Sequence, residues 1–106
     1  MSFSSAHELR AELVELCARF AEDEGGLEAT NFHELVMAFN PFLRFVVSAD
    51  TPREARKFGQ IVNRMVEAGG PQQNAIETCL LEHASQIGCA KVLKPHLNAA
   101  ARKELR

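Results

Sequence analysis

The sequence contains no tryptophan and no tyrosine, and its three cysteines are odd in number and form no CxxC pair. Trp and Tyr are common anchors of protein interfaces, so an interface here would rely on Phe, Leu and Arg. The cysteine pattern argues against a disulfide framework and is typical of buried or free thiols in a reducing compartment. No run approaches the ~20 apolar residues of a membrane span, and the N-terminus lacks the features of a signal peptide. We expect a cytoplasmic protein with no membrane partner.

Length and composition favour one folded unit. A chain of 106 residues with 46% hydrophobic and 25% charged residues is typical of a globular domain rather than a disordered segment. Its net charge of −2 supplies no overall field that would attract nucleic acid or a membrane surface. We therefore expect a single domain over residues 1–106.

Helix-start signals recur along the chain. Three pairs place a capping side chain three residues before a glutamate: Ser5 with Glu8, Asn31 with Glu34, and Thr51 with Glu54. In this arrangement the first side chain accepts a backbone N–H and the Glu reaches back. Pro52 strengthens the third signal because its fixed φ and missing N–H suit the first helical position.

Apolar residues behind these starts follow helical spacing. The predicted helices run from Ser5 to near Asp23 with a stop at Gly25-Gly26, from Asn31 to Asn40, from Pro52 to about Ala68, from Gln72 or Gln73 to Gly88, and from about Pro95 to Leu105. The fourth has few charges and is expected to be the central helix. No segment alternates like a strand with a hairpin turn. The predicted fold is all-α, an irregular bundle of five to six short helices.

Pro41 interrupts an apolar stripe that otherwise stays in helical phase. Its ring crowds the carbonyl of Met37 and it has no N–H to donate to that carbonyl. We expect a break, with Asn40 capping a second short helix. A kinked but continuous helix is the alternative.

The pair with the most chemical potential is Cys79 and His83, because residues four apart on a helix are neighbours. The pair could supply two metal ligands, completed by Cys17, Cys89 or His96, or it could act as a nucleophile and its base. The alternative is that both pack in the core. No second pair at ligand spacing and no known catalytic motif occurs, so we expect no enzyme, no catalytic or metal-binding residue and no cofactor.

Charge is polarised along the chain. Residues 5–24 hold six acidic and two basic residues, and residues 91–106 hold five basic and one acidic. The acidic side of the first helix could dock a basic protein, and the basic tail could touch phosphate, although both biases also complement helix dipoles. The candidate partner-binding residues are Glu8, Glu12, Glu15 and Glu22, with Phe45 as an apolar residue off the stripe of its neighbours.

Several short phrases in the second half carry a resemblance. They are Glu54-Ala55-Arg56-Lys57-Phe58, Val62 to Gly69, Asn74-Ala75-Ile76 leading to Leu80-Leu81-Glu82-His83, and Leu93-Lys94-Pro95-His96-Leu97. Through them, residues 52–105 resemble a family of short, all-helical bacterial proteins of unassigned function. Such proteins are similar in size and style to immunity proteins that neutralise toxins, which implies a binding role.

These observations together favour a non-enzymatic protein-binding module, of inhibitor or immunity type, whose partner is another protein or a second copy of the chain. Two alternatives remain open. One is a small metal- or thiol-dependent enzyme centred on Cys79 and His83. The other is a nucleic-acid accessory domain that uses the basic C-terminal helix, which the missing aromatic and reading motifs argue against.

Overall fold

The computed structural model describes residues 2–106, which form helices and no strands. The α-helices are α1 (Ala6–Leu16), α2 (Glu24–Glu28), α3 (Phe32–Phe39), α4 (Leu43–Val46), α5 (Pro52–Ala68), α6 (Gly70–Cys79), α7 (Ala84–Ile87), α8 (Ala90–Leu93) and α9 (Ala99–Glu104). Short 3₁₀ turns cover Ala18–Glu22, Asn40–Phe42, Leu81–His83 and Lys94–His96. The predicted all-α class is confirmed, and the predicted helices are divided into shorter segments.

Two of the three predicted helix caps are present. The Ser5 hydroxyl accepts the Glu8 N–H at 3.2 Å, and the Asn31 side chain accepts the Glu34 N–H at 2.9 Å. The Glu34 carboxylate then accepts both the backbone N–H and the hydroxyl of Thr30, at 2.8 and 3.0 Å. These hydrogen bonds favour the charged form, so they hold the pKa of Glu34 below its ordinary value. Each cap satisfies a backbone donor that a helix leaves unpaired.

The third cap was predicted wrongly, although the helix start was right. Thr51 makes no capping hydrogen bond to α5. Its hydroxyl lies 3.0 Å from the Ser48 hydroxyl and accepts the Ser48 N–H at 3.2 Å. Pro52 at the first helical position is compatible with this, because proline leaves one N–H fewer to satisfy.

The first helix ends earlier than predicted. It stops at Leu16 because Cys17 is extended, with φ −139° and ψ 98°. Asp23 then caps α2 by accepting the Gly26 N–H at 2.9 Å. The predicted stop at Gly25-Gly26 is therefore wrong. Gly26 is needed for packing instead, since a Cβ there would lie 2.6 Å from the ring of Phe20.

Pro41 does not break the chain's helical path. Asn40 has φ −50° and ψ −44°, and its N–H donates to the Met37 carbonyl that Pro41 cannot reach. A 3₁₀ turn over Asn40–Phe42 then leads directly into α4. The expected break with Asn40 as a cap is wrong, and the continuous alternative describes the segment. The Asn40 side chain instead donates to the Cys79 carbonyl at 3.0 Å.

The predicted fourth helix is interrupted at Leu80, whose φ of −129° and ψ of −64° are not helical. The Ser85 N–H, which would donate to Leu81 in a continuous helix, donates to the Arg106 carbonyl at 2.7 Å. The Arg106 N–H in turn donates to the Leu81 carbonyl at 2.9 Å. The main chain of Arg106 thus inserts between the two groups. Gly88 ends α7 in a left-handed conformation with φ 91°, as predicted.

The last predicted helix is also divided. Pro95 lies in the 3₁₀ turn Lys94–His96, and Leu97 is extended with ψ 145°. The Asn98 side chain accepts the Ala101 N–H at 2.9 Å and so begins α9. Leu97 and Ala101 are buried in the core.

The central helix is α5 rather than the predicted fourth helix. It packs against α1, α4, α6, α8 and α9. Its buried face consists of Ala55, Phe58, Gly59, Ile61, Val62, Met65 and Val66. The Phe58 ring stacks 5.8 Å from Phe39, which meets Phe20 edge-on at 4.9 Å. One face of α5 therefore organises the core, and its opposite side is left to form a surface.

Candidate functional site

A groove of about 410 Å³ runs between α1 and α5. Its walls and floor are Glu12, Glu15, Leu16, Arg53, Glu54, Lys57, Gln60, Ile61 and Arg64. The α5 residues at positions 53, 57, 60 and 64 are spaced by four, three and four, so they share one helix face. This volume falls within the range of small-molecule and peptide pockets, about 300–1,000 Å³.

One ion pair closes part of the groove. Nη1 of Arg64 donates to both carboxylate oxygens of Glu12, at 2.8 and 2.9 Å. The same guanidinium lies 4.0 Å above the ring of Phe3. Both partners are partly exposed, with side-chain exposures of 29% and 35%, so the pair contributes at most about 1 kcal/mol to folding. Its main effect is to fix the positions of two opposite charges beside the groove.

The other groove charges have no such internal partner. Within residues 2–106, no charged atom of Glu15, Arg53, Glu54 or Lys57 lies within 4.0 Å of an opposite charge. Glu15 comes from α1, whereas Glu54 and both bases come from α5. The groove therefore offers charges of both signs to a binding partner, over a floor that includes Leu16 and Ile61.

The predicted partner-binding residues do not form one surface. Glu12 and Glu15 line the groove, whereas Glu8 lies one turn earlier on α1 and accepts a hydrogen bond from the Ser4 hydroxyl. Glu22 is exposed in the 3₁₀ turn after α1 and lines no part of the groove. The helix end at Leu16 separates it from the other three acids.

Phe45 lies outside the groove. Its ring is half-buried, and the guanidinium groups of Arg19 and Arg44 lie 4.6 and 4.8 Å from its centroid. Such contacts stabilise the folded chain. Phe45 is therefore engaged in internal packing more than the sequence suggested, while Met37 is 62% exposed.

Sequence reasoning missed the basic wall of the groove. Arg53, Lys57 and Arg64 lie outside the apolar face from which this helix was predicted, so they were not among the candidate residues. Their spacing by four and seven residues was readable in the sequence. What the sequence could not show is that α1 packs alongside and brings Glu12 and Glu15 to face them.

The candidate pair of Cys79 and His83 makes no mutual hydrogen bond, and the alternative that both pack in the core is wrong for His83, which is exposed. The irregular Leu80 separates them, and the exposed His83 places Nδ1 3.2 Å from Oε1 of Gln86. The Cys79 sulfur lies instead 3.4 Å from Nδ1 of His33.

Two of the cysteines, Cys17 and Cys89, are buried, and Cys79 is partly exposed. Burial raises the pKa of the Cys89 thiol to about 11, which disfavours its reactive thiolate form. Within residues 2–106, no three His, Cys, Asp or Glu side chains are grouped so that they could hold a metal ion.

The basic residues of the C-terminal segment are distributed over several elements. Lys91 is on α8, Lys94 begins a 3₁₀ turn, and Arg102 and Lys103 are on α9. Arg102 also donates from Nε to the Lys94 carbonyl at 3.1 Å. These side chains are exposed, but they do not lie on the single basic C-terminal helix that was considered from the sequence.

Comparisons with protein families, with curated proteins and with solved structures give no match to this chain. None of the helices within residues 2–106 has the length and apolar character needed to cross a bilayer. Function must therefore be argued from the groove and from the side-chain clusters of this chain.

Proposed function

We propose that the protein is a non-enzymatic binding module that holds a segment of another protein in the groove between α1 and α5. The observation that carries the proposal is the arrangement of charge across this groove. Glu15 stands on the α1 side, and Arg53, Glu54 and Lys57 stand on the α5 side; within residues 2–106, none of the four forms an ion pair within 4.0 Å. A partner segment bearing both signs of charge would satisfy them.

The physical basis is electrostatic complementarity over a small apolar floor. Exposed charges at the rim of an interface steer association and select against partners with the wrong charge pattern. Leu16, which is partly exposed, offers apolar contact between the rims. Arginine is one of the residue types that most often dominates binding energy, which suits a chain without Trp and Tyr.

The type of module follows from the resemblance of residues 52–105 to short bacterial proteins. An inhibitor or immunity-type protein acts by covering a partner and needs no chemistry of its own. This agrees with a groove that contains charged rims but no cysteine, serine, threonine or histidine. A second copy of the chain is the competing occupant of the groove.

Site-specific photo-crosslinking tests the groove directly. A photoreactive phenylalanine replaces Gln60 in the groove or, as the matched control, Gln86, which is exposed on α7. In a lysate of the source organism, we expect a defined crosslinked protein from position 60 and none of that mass from position 86. Equal capture at both positions would contradict the groove as the binding site, and a product of twice the chain's mass would indicate self-association.

Charge reversal sharpens the same test. We expect Lys57→Glu to weaken capture of the crosslinked partner about tenfold, because it places a negative charge on the basic wall. Glu28→Lys is the control, since Glu28 is an exposed acid on α2 outside the groove. Raising the salt concentration should weaken wild-type capture as well. Undiminished capture by Lys57→Glu would count against the proposed electrostatics.

A further inference from the structure

Three polar side chains meet where α3 and α6 pack together. His33 lies on α3, and its Nδ1 is 3.4 Å from the sulfur of Cys79 at the end of α6. Its other ring nitrogen, Nε2, is 3.1 Å from the side-chain amide nitrogen of Asn74. A nucleophile, a base within reach of it, and a third group that orients the base together form the pattern of an activated nucleophile.

The two helices are held in register by a second polar contact. Asn40, seven residues after His33 and thus on the same side of the helical path, donates to the Cys79 carbonyl at 3.0 Å. Cys79 is therefore held through its main chain while its sulfur faces the imidazole. The hydroxyl of Thr78 lies 3.8 Å from the same sulfur. The sulfur thus lies beside polar groups, while the partly buried Cys79 also packs against the apolar core.

The contact with Asn74 controls which form of the imidazole faces the sulfur. When the Asn74 side-chain oxygen accepts a proton from Nε2, Nδ1 is unprotonated and can take the thiol proton. When the amide nitrogen donates to Nε2, the N–H on Nδ1 points at the sulfur and stabilises a thiolate. In the structure the amide nitrogen faces Nε2, and a turn of the amide by 180° gives the arrangement in which Nδ1 can take the thiol proton.

We propose that Cys79, His33 and Asn74 form a reactive-thiol site that undergoes exchange with small-molecule disulfides. His33 takes the proton of the Cys79 thiol, and the thiolate attacks one sulfur of the disulfide. A new S–S bond to Cys79 forms as the old S–S bond breaks, and the departing thiolate receives the proton from His33. The disulfide is the oxidant, and the products are a mixed disulfide and one small thiol.

The other two cysteines provide an internal reference. Cys17 and Cys89 are 8% and 2% exposed, and neither makes a contact with a histidine ring among the described residues. Burial of an apolar kind suppresses thiolate formation. The site is also separate from the α1–α5 groove, because none of its three residues lines that groove. Failure of one proposal therefore leaves the other standing.

Kinetic labelling with an aromatic disulfide tests the proposal. The full chain is reacted at neutral pH, and the modified cysteine is located by mass spectrometry. The reference is a peptide with the sequence of residues 74–84, which presents Cys79 without His33. We expect Cys79 to react first, at least about tenfold faster than in the peptide, since a positioned base typically accelerates proton removal by more than that.

Two variants assign the effect to the cluster. His33→Gln should lower the rate at Cys79 to that of the peptide, and Asn74→Ala should lower it several-fold because the ring loses its orienting partner. His83→Gln is the matched control, since His83 is near Cys79 in sequence but bonds Gln86, and it should leave the rate unchanged. Circular dichroism checks that each variant stays folded.

The proposal is overturned if wild-type Cys79 reacts no faster than the peptide, or if a folded His33→Gln variant keeps the wild-type rate. If His33→Gln does not fold, the proposal is judged from the Cys79 reaction rate of the wild type against the rates of the peptide and of Asn74→Ala. First modification at Cys17 or Cys89 would also refute it.

Discussion

The segments around Pro41 and Leu80 behave in opposite ways. Pro41 carries the strongest helix-breaking signal in the chain, yet the backbone stays helical through it from α3 into α4. Leu80 carries no such signal, yet helical geometry ends there. A helix-breaking residue such as Pro41 removes only one backbone hydrogen bond. A tertiary contact such as that of Arg106 can replace more than one helical hydrogen bond.

A single hydrogen bond joins the two segments. The side chain of Asn40, beside Pro41, donates to the carbonyl of Cys79, just before Leu80. Asn40 thus does not cap its own helix, and it satisfies one of the carbonyls that the end of α6 leaves unpaired. On the far side of Leu80, the main chain of Arg106 satisfies Leu81 and Ser85. The break is therefore supported from both ends by distant residues.

The prediction with the largest expected change in stability concerns why the chain departs from a helix at Leu80. Both Leu80 and Leu81 have an exposure of 0%, although consecutive residues on a helix point about 100° apart. We expect Leu80→Ala and Leu81→Ala each to lower the unfolding free energy by about 2–5 kcal/mol, as for other buried leucines. Urea denaturation measures both. A loss below about 1 kcal/mol for either one would mean that the break does not serve to bury the pair.

The next effect separates Asn40 from Pro41. Asn40→Ala removes the donor to the Cys79 carbonyl and should lower the unfolding free energy by about 1–2 kcal/mol. Pro41→Ala is the matched neighbour, and it should raise stability by about 1 kcal/mol because alanine supplies the missing N–H and is the better helix former. Thermal unfolding compares the two. The comparison fails if Pro41→Ala lowers the unfolding free energy as much as Asn40→Ala does.

The smallest effect concerns Arg106. Arg106→Pro removes only the N–H that donates to Leu81, and the preceding Leu105, with φ −72° and ψ 125°, already suits a following proline. We expect a loss of about 1 kcal/mol and faster hydrogen exchange at the Ser85 amide. Arg106→Ala keeps the main chain and should behave as wild type in both measurements. Equal exchange at Ser85 in the two variants would show that Arg106 does not hold the break.

Local chemistry accounts for the features that were predicted correctly. The caps at Ser5 and Asn31, the bounds of α5 and the end of α7 at Gly88 depend on residues within one or two turns. Their physical causes, which are unpaired N–H groups, a fixed proline φ and a glycine at positive φ, act over that same range. The predicted helix stop at Gly25-Gly26 was wrong because Gly26 packs against the Phe20 ring and does not end a helix.

The candidate sites show the same division. Glu12 and Glu15 were identified from the acidic side of the first helix, but their basic counterparts on α5 were not. Cys79 was identified as the cysteine with chemical potential, but the histidine considered beside it was His83, whereas the structure places His33 there. In both cases the sequence indicated the residue type and the helix face. The residues that face them, on α5 and α3, come from elements far away in sequence.

The amino-acid sequence alone is enough to predict the all-α class. It also predicts the start, the end and the apolar face of the longest helix, α5. Those properties follow from hydrogen bonds and periodicity that act within a few residues. Three features depend on tertiary packing. The backbone stays helical through Pro41, Leu80 interrupts a helix, and His33 rather than His83 faces Cys79. These outcomes depend on contacts between residues tens of positions apart, because packing two helices together sets which backbone and side-chain groups can satisfy each other.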